Sequence, residues 1–311
     1  MAQDASLHGL ICFGECMIEL ARGAEAGDWR MGFAGDTANV AVYAARAGVD
    51  VACLGAVGAD PYSEDLRAFL TGEGVDCRLL LTHPIRVPGL YAIRTDARGE
   101  RSFTYWRDQS AARDFFGLPQ AAAALAEAGR ARMLYLSGIT LSLFDEAGRA
   151  QVAMLARSVR ENGGEVVFDG NYRPRGWADP AAARAAFAAI APLCTIVLPT
   201  FEDEVALYGD ADPQDIAERW HAAGARIVVA KLGEDGALLS RLDSAAQLIP
   251  CPERKAPKDT TGAGDSFNAA FLTALLAGAE PEAAVRAGHC LAGVVVMHPG
   301  AIIPPGAMPG V

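Results

Sequence analysis

The chain contains no Cys-x-x-Cys pair, no His-Glu-x-x-His and no Gly-x-x-x-x-Gly-Lys-Ser/Thr segment. The first two absences argue against a structural zinc site and spaced histidine ligands, and the third excludes a P-loop nucleotide site. Seven cysteines (12, 16, 53, 77, 194, 251 and 290) are scattered and odd in number. A disulfide framework is therefore not expected, and buried thiols of a reducing compartment are. Lysine and arginine nowhere gather into a block, and 27 basic residues stand against 38 acidic ones, a net charge of −11. Nucleic acid and anionic membranes are poor partners for such a chain, and an anionic substrate would need locally placed arginines. No uncharged apolar run is long enough to span a bilayer, and the opening Met-Ala-Gln-Asp lacks the features of a secretory signal. A soluble, cytoplasmic protein is expected.

What is present is a large apolar inventory, 51% of 311 residues, enough for a sizeable core. From about residue 130 short apolar runs alternate with longer helical patterns. Met133–Leu136, Glu165–Asp169, Thr195–Leu198 and Arg226–Ala230 read as strands, with helices over about 145–162 and 179–191 and helical stretches reaching about 223. That alternation implies βαβ units around a mostly parallel sheet, whose ligands bind beyond the carboxyl ends of the strands. Those ends carry Ser137-Gly138, Asp169-Gly-Asn171, Pro199-Thr200 and Lys231-Leu-Gly233.

In the first third, Ile11–Leu20 reads as one strand and Trp29–Phe33 as a second. A helix is expected from about 37 to 47, stopped by Gly48, followed by a strand over Val51–Val57. Gly89–Thr95 and Arg101–Trp106, around Asp96-Ala-Arg-Gly99, form a hairpin pattern. One domain over 1–311 with a small strand-built lid, from about 12–34 and 86–110, is the expected organisation.

The densest chemistry lies in Asp259-Thr-Thr-Gly-Ala-Gly-Asp-Ser-Phe-Asn268. Gly262 and Gly264 precede apolar residues at helical spacing (Phe267, Phe271, Ala274, Leu275), with Gly278 as the stop. A glycine turn opening a helix leaves N–H groups unpaired at the positive end of the helix dipole, a site for phosphate. Asp265 puts a carboxylate into that same turn. It is either an aspartate favoured by a first helical turn or a base that takes a proton while the N–H groups hold a phosphoryl group.

Two further pieces are weak separately. Ala34-Gly-Asp-Thr-Ala-Asn39 is a second glycine-led helix entry, where Asp36 or Thr37 could cap and Asn39 could meet a sugar hydroxyl or be a polar first-turn residue. Lys231-Leu-Gly-Glu-Asp-Gly-Ala237 is a tight loop that could pass over a nucleotide or be a plain turn. Gly262-Ala-Gly264 is followed by Phe267 where a dinucleotide fingerprint needs glycine, and no His-Arg-Asp kinase loop is present.

Taken together and in this order, these segments resemble the ribokinase-like (pfkB-type) carbohydrate kinases over essentially the whole chain. The resemblance implies a three-layer α/β/α domain with a mostly parallel central sheet and a β lid. It implies transfer of the γ-phosphoryl group of ATP, accompanied by Mg²⁺, to a sugar hydroxyl. Asp265 then corresponds to the catalytic base, and the amides of Gly262, Ala263 and Gly264 to the anion hole. Gly35, Asp36 and Asn39 fall on the sugar side, and Asn171, Lys231, Gly233, Asp235 and Gly236, with Gly262 and Gly264, on the nucleotide side.

Within the family, Tyr105–Arg113, Asp169–Arg173, Pro199–Glu204 and Gly300–Pro304 are similar to the 2-keto-3-deoxygluconate kinases. That similarity implies a sugar acid, which Arg107 and Arg173 are suited to grip and Tyr91 and Tyr105 to cover. The exposed lid hairpin would suit pairing with a further copy of the chain. Left to the residues alone, Arg107 could be a surface ion pair and the tyrosines lid packing or a subunit contact. Ala34 replaces a glycine common in the family, and Pro199-Thr-Phe-Glu-Asp203 replaces its usual Pro-Asn-x-x-Glu, so no metal-organising residue is carried over. Three alternatives remain open at this stage: a kinase of a neutral sugar such as fructose or ribose, a non-catalytic sugar or nucleotide sensor, and a nicotinamide dehydrogenase.

Overall fold

A computed structural model of the chain describes residues 8–23, 27–95 and 101–309. Among them, nine strands form one sheet in the spatial order Ser244–Ile249, Ala237–Arg241, Ile227–Lys231, Ile196–Val197, Glu165–Asp169, Met133–Ser137, Leu10–Phe13, Val51–Val57, Leu80–Thr82. All neighbours are parallel except the two pairs at the Ser244–Ile249 edge.

The strands read as near-continuous apolar runs because both faces are covered. Along them, alternate residues enter opposite cores. Phe13, Leu54, Leu136, Phe168 and Val228 pack on one face with Phe115, Phe187 and Trp220. Cys12, Cys53, Tyr135, Val167 and Val229 pack on the other with Tyr43, Phe267 and Phe271. Period-two alternation with helices on both sides is the signature of a buried parallel sheet.

The expected helices appear as Asp36–Arg46, Glu146–Glu161, Pro180–Ile190, Phe201–Tyr208, Pro213–Ala223 and Ala263–Leu276. Gly48 and Gly278 follow the first and last of these in left-handed backbone, as stop residues do. A helix outside the expectations, Pro281–Val295, packs along Ala263–Leu276. Among the described residues no helix is long and apolar enough to cross a membrane.

One strand expectation is corrected. Ile11–Leu20 is not a single strand: Leu10–Phe13 belongs to the large sheet, and Met17–Arg22 to a second, four-stranded one. The cause is Gly14. A Cβ there would lie 2.3 Å from Thr37 Oγ1, because the chain leaves the large sheet by crossing the first turn of the Asp36–Arg46 helix. A close approach of this kind has no hydrophobic periodicity to announce it.

The small sheet runs Trp29–Ala34, Met17–Arg22, Leu90–Thr95, Arg101–Trp106. Its last two strands pair antiparallel, as the hairpin pattern led one to expect, with Tyr91 opposite Tyr105. The expected turn at 96–99 lies outside the described residues, as does the start of the chain.

Candidate active site

Two helix N-termini meet beyond the carboxyl ends of the large sheet. One belongs to Ala263–Leu276, whose N-cap Gly262 is left-handed (φ 75°) and has no capping side chain. The amides of Gly262 and Gly264 make no hydrogen bond among the described residues, whereas that of Ala263 donates to the Thr260 carbonyl at 3.2 Å. Of the three amides expected to hold an anion, Ala263 is therefore committed to its own turn. The other N-terminus is that of Asp36–Arg46, entered through Gly35. A Cβ on Gly35 would sit 2.1 Å from the Glu15 carbonyl, so only glycine admits this approach.

The two ends are joined by Asn39, which donates to Asp265 Oδ2 at 2.7 Å across 226 residues of sequence. Asp265 lies in partly buried surroundings, and its carboxyl is pushed up from 3.8 to about 7. Loss of hydration is the main cause, followed by the Asp36 carboxylate. The Asn39 hydrogen bond opposes the rise, Asp169 adds to it and the Lys231 charge opposes it. Burial also raises Asp36, which accepts hydrogen bonds from Ser137 Oγ and, at 3.2 Å, from Asn171 Nδ2. The Arg107 charge works in the opposite direction on Asp36.

Several expected site residues have protein partners of their own. Asn171, expected on the nucleotide side, donates its side-chain amide to Asp36; its backbone has φ 34°, and its N–H is held by Asp169 Oδ1 at 3.2 Å. Lys231 does not extend over its loop. Its ammonium turns inward to Asp169 Oδ2 (3.0 Å) and Asn268 Oδ1 (3.2 Å). Gly233, Asp235 and Gly236 form the expected short turn between Ile227–Lys231 and Ala237–Arg241, with Asp235 bonded to Arg254.

Tyr91 is buried, and its hydroxyl donates to Glu19; Tyr105 stacks obliquely on it at 5.7 Å and stays exposed. Both arginines are already paired. Arg107 Nη2 lies 2.6 Å from Glu15 Oε2, and exposed Arg173 bridges Asp203 at 3.0 Å. No contact joins Arg173 to Arg107, Asp36 or Asp265 among the described residues.

Glu15 and Glu19 stand outside the expected site residues, and Ser137 and Asn268, which lie in a named strand end and in the glycine motif, had no role expected of them. The first two carried a signal: a carboxylate inside an apolar run must find a partner if it is buried. Asn268 closes the glycine motif, and its amide donates to Asp169 Oδ2 (2.7 Å) and Tyr135 Oη (3.0 Å). Among the described residues no group of three histidine, cysteine or acidic side chains is arranged to hold a metal ion.

An uncapped glycine turn facing a carboxylate near neutrality, at the carboxyl ends of a doubly covered sheet, is the layout of a phosphoryl-transfer enzyme. Residues 7–307 match the pfkB family of carbohydrate kinases, and the chain belongs to that family. It is an ATP-dependent carbohydrate kinase.

Its relatives narrow the comparison. The chain is 41% identical over 304 residues to the 2-dehydro-3-deoxygluconokinase of Escherichia coli (strain K12), covering 95% of this chain and 97% of that one. It is 40% identical to the enzyme of that name from Dickeya dadantii (strain 3937), over the same shares. Among solved structures it resembles a PfkB protein from Polaromonas sp. JS666 (TM-score 0.82, 28% identity, 94% and 97% of the two chains). It also resembles the aminoimidazole riboside kinase of Salmonella enterica complexed with aminoimidazole riboside and an ATP analog (TM-score 0.80, 25% identity, 96% of both chains).

Proposed function

We propose that this kinase phosphorylates 2-dehydro-3-deoxygluconate, the 2-keto-3-deoxy sugar acid, on its 6-hydroxyl. The observation that carries the mechanism is Asp265, a carboxyl near pH 7 held by Asn39 beside the Gly262–Gly264 turn. In that reading Asp265 takes the hydroxyl proton as the sugar oxygen bonds to the γ-phosphorus. The bond to the β-phosphate oxygen breaks and ADP leaves. The amides of Gly262 and Gly264 hold the group in transit; one such donor is worth about 3 kcal/mol in comparable sites. Asp36, Asn39 and Asn171 orient the sugar, Tyr91 and Tyr105 flank it, and the 233–236 turn meets the nucleotide. The unpaired amides suit a nucleotide phosphate, and Mg²⁺ would arrive on the phosphates and water rather than in a protein cage.

Support for the acid specificity comes from Arg107, whose charge acts on Asp36, and from the names of the relatives at 38–41% identity. Arg173 belongs to the proposal only if it leaves Asp203 when substrate binds. A second reading has an observation of its own: both arginines are already neutralised by Glu15 and Asp203, which favours a neutral sugar such as fructose. A coupled ADP assay over sugar acids and neutral sugars separates the two. Equal kcat/KM for 2-dehydro-3-deoxygluconate and fructose would sink the acid assignment. Arg107→Met is expected to lower kcat/KM for the acid by about 30- to 300-fold and to leave a neutral acceptor nearly unchanged. Assembly of two or more copies belongs to the same proposal, with exposed Trp29, Met31 and Trp106 of the small sheet as the contact surface. A monomer in light scattering at working concentration would remove it.

A further inference from the structure

We propose that the Lys231 ammonium is part of the anion-holding turn, a buried positive charge set beneath Gly264 that stabilises the phosphoryl group in transit. The inference rests on the kinase reading of Gly262–Asp265 and assigns Lys231 a different task from contact with the nucleotide loop.

Lys231 ends the strand Ile227–Lys231 and is 8% exposed. Two of its three N–H donors go to Asp169 and Asn268, and the third has no protein partner among the described residues. A buried, incompletely partnered ammonium is costly unless something else uses its charge. What lies next to it is the turn. A side chain built on Gly264 would meet one atom within 4 Å, Lys231 Nζ at 3.7 Å. No backbone neighbour crowds that position, so the space it occupies does not demand glycine. A bare Cα there keeps the line open between the ammonium and the region in front of the helix N-terminus.

The surrounding network leaves that charge effective. Asp169 is served by two donors besides Lys231, the Asn268 amide at 2.7 Å and the Asn171 N–H at 3.2 Å. The lysine is thus not its only source of compensation. Asn268 lies one turn beyond Asp265 on the same helix, so the contact also fixes the height of the turn over the ammonium. A cation here adds to the helix dipole in surroundings poorer in water than the surface, where preorganised charge acts most strongly on a developing anion. The groups acting on Asp265 are Asp36 and Asn39 from the facing helix and Asp169 and Lys231 from the sheet, with the phenols of Tyr43 and Tyr135 nearby. Lys231 is the one cation in that set.

The decisive variant is Asp169→Asn/Lys231→Met, which removes both buried charges and leaves neither stranded. Its kcat is expected to fall about 10²- to 10³-fold, the range for losing one preorganised donor. Affinity for ADP with aluminium fluoride in the presence of sugar, a mimic of the transferring group, should fall by a similar factor. KM values, ADP affinity and Tm should stay close to those of the unmodified enzyme. Asp169→Asn/Lys231→Arg, which restores a cation, should recover part of kcat and of mimic binding. A folded double variant with kcat within about threefold of the original overturns the inference, because a preorganised charge is worth more than that. So does a loss of kcat matched by an equal loss of ADP affinity, or one explained by a collapse in Tm, since either makes Lys231 a structural residue. Failure of the kinase reading itself would look different: turnover would survive Asp265→Asn while the Lys231 variants behaved in any manner.

Discussion

Asp265→Asn is expected to lower kcat by about 10²- to 10⁴-fold, the range for removing a general base, and at the same time to make the protein more stable above neutral pH. Both effects have one origin. The carboxyl is raised to about 7 by burial and by Asp36, so it is poised to accept a proton at neutrality but is held in surroundings that disfavour its charge. In the unmodified enzyme kcat/KM should accordingly rise with pH through about 7 as Asp265 ionises.

The sign of the stability effect follows from proton binding. Between the ordinary value of 3.8 and the folded value of about 7, the folded state holds more protons than the unfolded one. Stability from the neutral carboxyl is therefore fully present below about pH 4 and is lost as pH climbs to 7. Asparagine resembles the neutral acid and never pays that penalty. At pH 8 the variant should gain on the order of 1–2 kcal/mol, discounted for the partial exposure of the site, and at pH 4 almost nothing. Thermal unfolding at the two pH values, beside the ADP assay, tests both halves. Near-normal turnover would remove Asp265 from the mechanism, and a pH-independent difference in Tm would contradict its raised carboxyl.

Gly262→Ala is expected to be nearly as damaging to turnover, and unlike Asp265→Asn it destabilises. Gly262 holds φ 75° as the N-cap, a conformation costing an L-residue roughly 1–2 kcal/mol. A methyl there would also lie 2.6 Å from the Ala301 carbonyl oxygen and 2.8 Å from Ala301 Cα. Ala301 has little freedom to withdraw. Its carbonyl accepts from Tyr43 Oη at 2.7 Å, and the preceding Gly300 N–H donates to Asp259, whose other oxygen holds Thr261. The turn itself must move, and a displacement of about 1 Å in such a site costs on the order of 10²-fold in rate. We expect kcat to fall by at least that factor and stability by about 2–3 kcal/mol. Urea unfolding with the ADP assay checks this. Gly264→Ala provides the contrast, since it meets only Lys231 Nζ and should spare stability.

Much of the architecture was legible because a buried parallel sheet writes itself as apolar runs at regular spacing. Val51–Val57, Glu165–Asp169 and Ile227–Lys231 needed no tertiary knowledge to locate. The break at Gly14 was not legible, since its cause is Thr37, more than twenty residues away in sequence. Arg107 and Arg173 were recognised as arginines suited to a carboxylate. Their pairing with Glu15 and Asp203 depends on which elements the fold sets side by side.

By itself the sequence determined that residues 259–268 open a helix through a glycine turn and place a carboxylate in its first turn. Those are local properties of backbone freedom and helical spacing. Only the tertiary structure decided what that carboxylate is. Asn39 reaches it from 226 residues away, Asp36 and Asp169 raise its affinity for a proton, and Lys231 comes up from beneath. Desolvation and Coulomb fields act through space rather than along the chain, and so the chemistry of Asp265 had to wait for the fold.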